Sequence, residues 1–118
     1  MAFPSRVQGS GQSGGSAQAI CGDVSASVTA AGSSATDAQS VSAVVTRVST
    51  AAASTGVKLP VAEVGAMMVV RNDGANTLTV YPQTGATING SASDSIAAGK
   101  AHLFFGTSPT TWVTLDGA

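Results

Sequence analysis

The residues able to carry acid–base, nucleophilic or metal chemistry are few and dispersed. The chain contains one histidine, His102, and one cysteine, Cys21, with most of the sequence between them. His102 shares one face of a predicted strand with Lys100 and Phe104, and the sequence predicts no carboxylate beside it. We therefore interpret His102 as a structural or interface histidine. Cys21 has no cationic neighbour that would activate its thiol, so we interpret it as a small apolar side chain.

The carboxylates are also too scattered to indicate a reaction. No group of His, Cys, Asp and Glu has the spacing of zinc ligands, and the glycines in 9–15 lack the strand and helix that flank a phosphate loop. A pair of carboxylates assembled in space, as in glycosidases, is the remaining enzymatic alternative. The sequence therefore predicts a protein that is not an enzyme, with no catalytic residue, cofactor or metal site. Turn chemistry explains most of the acidic residues, which are Asp23, Asp37, Glu63, Asp73, Asp94 and Asp116.

Composition narrows the class of partner. The chain has 118 residues, a formal net charge of −1 and 9% charged residues. Five basic residues spread over this length predict no nucleic-acid partner and no anionic membrane partner. The longest apolar run, Met67–Val70, is far shorter than the roughly 20 residues of a membrane helix. A weakly charged surface rich in Ala, Ser, Thr and Gly favours contact with other protein subunits.

The N-terminal region predicts an arm rather than part of the core. Residues 1–23 are rich in Gly, Ser and Gln, and this composition buries too little apolar area to offset the entropy of ordering. The opening residues lack the apolar core of a signal peptide, so we expect synthesis in a cytoplasm, where a single cysteine is also usual. A disordered tail is one interpretation. The other is an arm that becomes ordered on a neighbouring subunit, with its anchors in pockets; the candidate contacts are Phe3, Arg6, Val7 and Ile20.

Residues 24–118 predict a single all-β domain. About eight short antiparallel strands at regular spacing, separated by turn signals, favour a β-sandwich or jelly roll. A helix over 35–53 is the competing interpretation, but the β-branched residues of 41–50 make it unfavourable. The predicted strands cover 24–29, 41–50, 56–60, 66–71, 77–81, 86–88, 94–96, 100–105 and 111–115.

Two of these strands predict a hairpin with an unusual first member. Residues 66–71 and 77–81 flank an Asn/Asp/Gly-rich segment, 72–76, that suits a hairpin loop. The first strand is apolar on both faces, which is typical of a strand covered on both sides. Such a strand is covered either by a second sheet and a partner or within an oligomer interface, and we predict that Met67 and Val69 contact the partner.

The large amphipathic rings allow a second hypothesis. Trp112 and Tyr81 are the only Trp and Tyr of the chain. Packing in the core and at an edge is the ordinary role of such rings. The alternative is a glycan- or receptor-binding surface that uses both rings together with loop asparagines.

The pattern of residues 28–115 resembles a β module of tailed-bacteriophage virion proteins. The resemblance is carried by the short strand that ends in Leu59-Pro60, by the segment from Val70 to Pro82 with the form V-x-N-x-G-x-N-x-L-x-V-Y-P, and by the closing Trp112-Val113-Thr114-Leu115. Further matches are Ile88-Asn89-Gly90 and Ile96-Ala97-Ala98-Gly99. With its N-terminal arm and no fibre repeat, the chain most resembles a capsid cement, or decoration, protein.

The resemblance implies a role in the virion. The expected function is to decorate and stabilise the capsid surface by bridging neighbouring major capsid subunits, with the arm ordering on the neighbour. It also implies self-association, as a homotrimer in preference to a homodimer, and it carries over no catalytic residue. A receptor- or glycan-binding module of a tail fibre or baseplate is the alternative.

Overall fold

The structure is a computed structural model that describes residues 22–116. The predicted arm therefore lies outside the described residues except for Gly22 and Asp23. The four candidate contacts in the arm, Phe3, Arg6, Val7 and Ile20, lie outside them as well, as does Cys21.

Within residues 22–116 the chain is all-β and contains no helix, which confirms the predicted class. None of these described residues forms a helix that could cross a membrane. The ten strands are β1 (Val24–Thr29), β2 (Gln39–Ser40), β3 (Val45–Thr50), β4 (Gly56–Lys58), β5 (Met67–Asn72), β6 (Leu78–Tyr81), β7 (Thr87–Ile88), β8 (Asp94–Ile96), β9 (Ala101–Ser108) and β10 (Thr111–Asp116).

The strands form two sheets between which the chain alternates. The larger sheet has the order β1-β3-β5-β9-β10-β7, and the smaller has the order β2-β4-β6-β8. Strands β1, β3 and β5 are parallel, as are β2, β4 and β6. The register pairs Val24 with Val45 and Val45 with Val69, so each coil takes roughly 20–25 residues, as in solenoid repeats. The first six strands thus form a β-solenoid-like arrangement.

This topology corrects two predictions. The strands are not uniformly antiparallel, because five of the eight ladders are parallel. The predicted hairpin is also wrong: β5 belongs to the larger sheet and β6 to the smaller one. Residues 73–77 form an arch between the sheets, and the Asp73 N–H donates to Val48 O at 2.9 Å, extending the parallel ladder beyond β5. Turn residues of this type suit either a hairpin or an arch. The period of the parallel coils, rather than the turn chemistry, distinguishes the two.

The second predicted strand pair is confirmed. Strands β9 and β10 are antiparallel, with Thr114 opposite Phe104 and Leu115 opposite Leu103. Only Pro109 and Thr110 separate the two strands.

One core lies between the sheets. Inward residues alternate along the strands, as the period of two requires, so that Met68 and Val70 of β5 are buried while Met67 is 44% exposed. The largest fully buried side chains are Trp112, Phe104, Leu59, Leu78, Ile88 and Ile96.

Buried Asn72 joins the two sheets at the arch. Its Nδ2 donates to Asn76 O at 2.7 Å and to Ile96 O, in the smaller sheet, at 2.9 Å. Its Oδ1 accepts a hydrogen bond from the Gly74 N–H at 3.0 Å. A buried amide with its donors and acceptor satisfied fixes the path of the arch.

Candidate interaction surface and the adjoining pocket

The outer face of the larger sheet carries two apolar rows. Residues paired by register across neighbouring strands lie side by side on one face. The first row crosses three strands and the second crosses five; they consist of Met67, Phe105 and Val113, and of Val24, Val45, Val69, Leu103 and Leu115. We call these two rows the apolar face.

The apolar face is open to solvent. Leu115 is 63% exposed, Val24 is 60% exposed and Val113 is 39% exposed. Met67 is also exposed, and the remaining four members are partly exposed; these are Val45, Val69, Leu103 and Phe105. No segment of 22–116 forms a layer over this face, because the smaller sheet packs on the opposite side. The main exposed apolar patch of a protein is often functional, so this face is the candidate interaction site.

A charged row borders the apolar face. Arg47 and Arg71 are paired by register one step beyond Val45 and Val69. The Arg47 Nε–H donates to Asp73 Oδ2 at 2.8 Å, and the Arg71 Nε–H donates to Asp73 Oδ1 at 2.6 Å. These hydrogen bonds, first from Arg71 and then from Arg47, hold the pKa of the Asp73 carboxyl below its ordinary value. The row is therefore locally neutralised except for one surplus positive charge.

The dimensions of the apolar face limit what it can bind. Neighbouring strands lie about 4.8 Å apart and successive residues on one face about 7 Å apart, so the eight residues of the two rows cover on the order of 250–300 Å². A stable protein interface takes about 800 Å² from each partner. The apolar face alone therefore suits a weak contact that is repeated, or that is supplemented by another part of the chain.

A pocket adjoins the apolar face at Met67. It has a volume of about 340 Å³ and lies under the loop between β4 and β5. Gly106 holds this loop: the Gly65 N–H donates to Gly106 O at 3.0 Å, and the Gly106 N–H donates to Ala66 O at 2.8 Å. A Cβ at Gly106 would lie 2.1 Å from Glu63 O, so only glycine allows this approach. The walls include Val44, Val61, Glu63, Met67, Met68 and Trp112.

Trp112 gives the pocket an unusual wall. The residue is 1% exposed, yet its indole Nε1–H has no hydrogen-bond acceptor within the described part of the chain. A buried donor without a partner costs about 1–3 kcal/mol. This is the one buried side-chain polar atom between 22 and 116 that lacks a partner.

His102 has a carboxylate partner that the sequence did not predict. Its Nδ1 lies 2.6 Å from Asp94 Oδ2, and both side chains are largely buried. His102 belongs to the larger sheet and Asp94 to the smaller one, so the pair links the sheets. The two residues are eight positions apart in the sequence. They meet because the chain passes from the smaller sheet at β8 to the larger sheet at β9, and the two sheets face each other. The described residues contain no cluster of His, Cys, Asp and Glu that could hold a metal ion.

The structure does not bring the two large rings to one surface. Trp112 faces the core, whereas Tyr81 lies over Gly56, whose Cβ position would be 2.6 Å from the tyrosine ring. The Tyr81 hydroxyl donates to Ser33 O at 2.9 Å, which ties the ring to a loop.

Of the predicted partner contacts, Met67 and Val69 lie together on the apolar face. Sequence reasoning missed their neighbours Leu103, Phe105, Val113 and Leu115. The signal was present, since apolar residues alternate outward along both strands, but it was interpreted only as a strand pair.

Comparison with known proteins gives no relative: no family model matches the chain, and no curated protein or solved structure is significantly similar to it.

Proposed function

We propose that the chain is a structural protein that binds other protein subunits through the apolar face. The single observation that carries this proposal is the presence of two exposed apolar rows on the larger sheet, one across three strands and one across five. A free surface of this composition favours association, because covering it removes apolar area from water.

We further propose that the partner is the major capsid protein of a tailed bacteriophage, and that the chain decorates and stabilises the capsid surface. Support comes from the sequence resemblance to cement proteins and from the size of the apolar face. A footprint too small for one stable contact still resists expansion of a shell when it is repeated at many symmetric positions. Bridging of neighbouring subunits, ordering of the arm on the neighbour and self-association as a homotrimer belong to the same proposal. The alternative, a glycan- or receptor-binding module, has no comparable support, since Trp112 is buried in the core and Tyr81 lies in the other sheet.

The test is cosedimentation of the purified chain with empty capsids from the same genome. Leu115→Lys places a charge at the exposed β10 end of the longer apolar row. If this row is the contact, binding buries that charge, so we expect at least about a tenfold loss of affinity. Ser95→Lys is the matched control, because Ser95 is exposed on the smaller sheet and the substitution adds the same charge. Equal binding by the two variants would exclude the apolar face as the contact, and no binding by the unchanged chain would exclude the decoration role.

A further inference from the structure

We infer that the protein partner that covers the apolar face presents a carboxylate, and that Arg47 and Arg71 bind it. The inference rests on the proposed function, because it concerns the partner of the apolar face. It adds the class of side chain that the partner carries and the spacing of that side chain from its apolar contacts. The partner segment is an extended strand in which two alternate apolar residues are followed by Asp or Glu.

Two like charges are held side by side next to the apolar face. Arg47 of β3 and Arg71 of β5 are paired by register, and neighbouring strands lie only about 4.8 Å apart. Their side chains are 53% and 46% exposed. Asp73 is the one acidic residue within 22–116 that forms an ion pair with either arginine. The pair therefore retains one uncompensated positive charge, which a single carboxylate would neutralise.

Asp73 also orients both guanidinium groups. It accepts the Nε–H of Arg47 at Oδ2 and the Nε–H of Arg71 at Oδ1. The Nη groups of both arginines make no hydrogen bond within the part of the chain that the structure describes. A guanidinium is planar and rigid, so a fixed Nε restricts where its Nη donors can lie. Donors restricted in this way lose less entropy when they bind a carboxylate.

The spacing of residues on the outer face defines the complementary segment. Along β5 the outward residues recur with a period of two, as Met67, Val69 and Arg71, and each step spans about 7 Å. A partner strand that runs parallel to β5 therefore places apolar side chains at i and i+2 and a carboxylate at i+4. Ala101 continues the charged row on β9, and its small side chain leaves room beside Arg71 for that carboxylate.

A carboxylate fits this pair better than a phosphate does. Nucleic acids and anionic membranes present many phosphates, and binding them takes several basic residues. The arginine pair has one surplus charge, and it adjoins a row of apolar side chains that includes Val69 and Leu103. Further phosphates would lose their hydration against these side chains without gaining a partner. A protein segment supplies one anion and apolar neighbours in the same short stretch.

Cosedimentation with empty capsids from the same genome tests this chemistry. Arg71→Gln leaves the partner's carboxylate without its fork of donors, so we expect at least about a tenfold loss of affinity. Lys58→Gln is the matched control, because it removes the same charge from β4 in the smaller sheet. Arg71→Lys keeps the charge but not the planar fork, so we expect a smaller loss than for Arg71→Gln. Trp112 fluorescence checks that each variant remains folded.

The outcomes separate failure of the inference from failure of the proposed function. If Leu115→Lys weakens binding but Arg71→Gln binds as well as Lys58→Gln, the inference alone is overturned. If the unchanged chain does not bind, or if Leu115→Lys and Ser95→Lys bind equally, the proposed function is overturned and the inference with it. Phosphatidylglycerol vesicles and a short DNA duplex are the probes for phosphate, and we expect neither to bind. Binding to either probe that Arg71→Gln abolishes would assign the arginines to phosphate and overturn the carboxylate.

Discussion

Replacement of Asn72 by leucine tests how the arch is held between the two sheets. The side chain is fully buried and makes three hydrogen bonds, to Asn76 O, Ile96 O and the Gly74 N–H. Leucine has a similar volume but neither donates nor accepts. Each lost hydrogen bond costs about 1 kcal/mol, and burial of the abandoned partners adds to this. We therefore expect Asn72→Leu to lower the free energy of unfolding by about 3–4 kcal/mol, which is a large fraction of the stability of a domain of this size.

Urea denaturation followed by Trp112 fluorescence measures this loss, because the only tryptophan lies in the core. In thermal unfolding, the same loss of stability should lower the melting temperature by about 15 °C or more. Asn76→Ala is the control: Asn76 is exposed, and its amide makes one hydrogen bond, to Ala51 O at 3.0 Å, so a loss of about 1 kcal/mol or less is expected. If the two variants lose the same stability, the Asn72 amide does not hold the sheets together.

Three further predictions follow from close contacts and charge. Gly106→Ala places a Cβ against Glu63 O and should cost about 1–3 kcal/mol in urea unfolding, whereas Ser95→Ala, at an exposed position, should change stability by less than about 0.5 kcal/mol. Asp73→Asn should destabilise the chain at pH 7; because the pKa of Asp73 is lowered in the folded state, this difference should shrink as the pH falls below about 3.9 and vanish below the folded pKa. An unchanged difference down to pH 2 would contradict that assignment. Phe104→Ala empties a fully buried site and should cost about 3–5 kcal/mol, measured by the same denaturation.

Most strand positions could be predicted from the sequence, but of the strand pairings only that of β9 with β10 could. Alternation and turn residues located β1, β6, β8 and β10 to within one or two residues. The same signals do not specify which strand pairs with which, since direction and register depend on contacts distant in the sequence. Residues 72–76 illustrate this, because an Asn/Asp/Gly-rich turn fits a hairpin as well as an arch. The buried amide of Asn72, bonded to Ile96 O, belongs only to the arch.

The candidate site was predictable to the extent that it depends on a single strand. Met67 and Val69 stood out because β5 is apolar on both faces. The rest of the apolar face depends on the order β3-β5-β9-β10, which places Leu103 and Leu115 in one row with Val69. The link between His102 and Asp94 was missed for the same reason, since it joins two different sheets.

Electron cryomicroscopy of the capsid with the chain bound is the most direct test of the central claim. The account predicts density for the chain on the outer capsid surface, with the row of Val69, Leu103 and Leu115 turned towards a neighbouring protein subunit. Density in which this row faces solvent, or particles without the chain after incubation at saturating concentration, would contradict it.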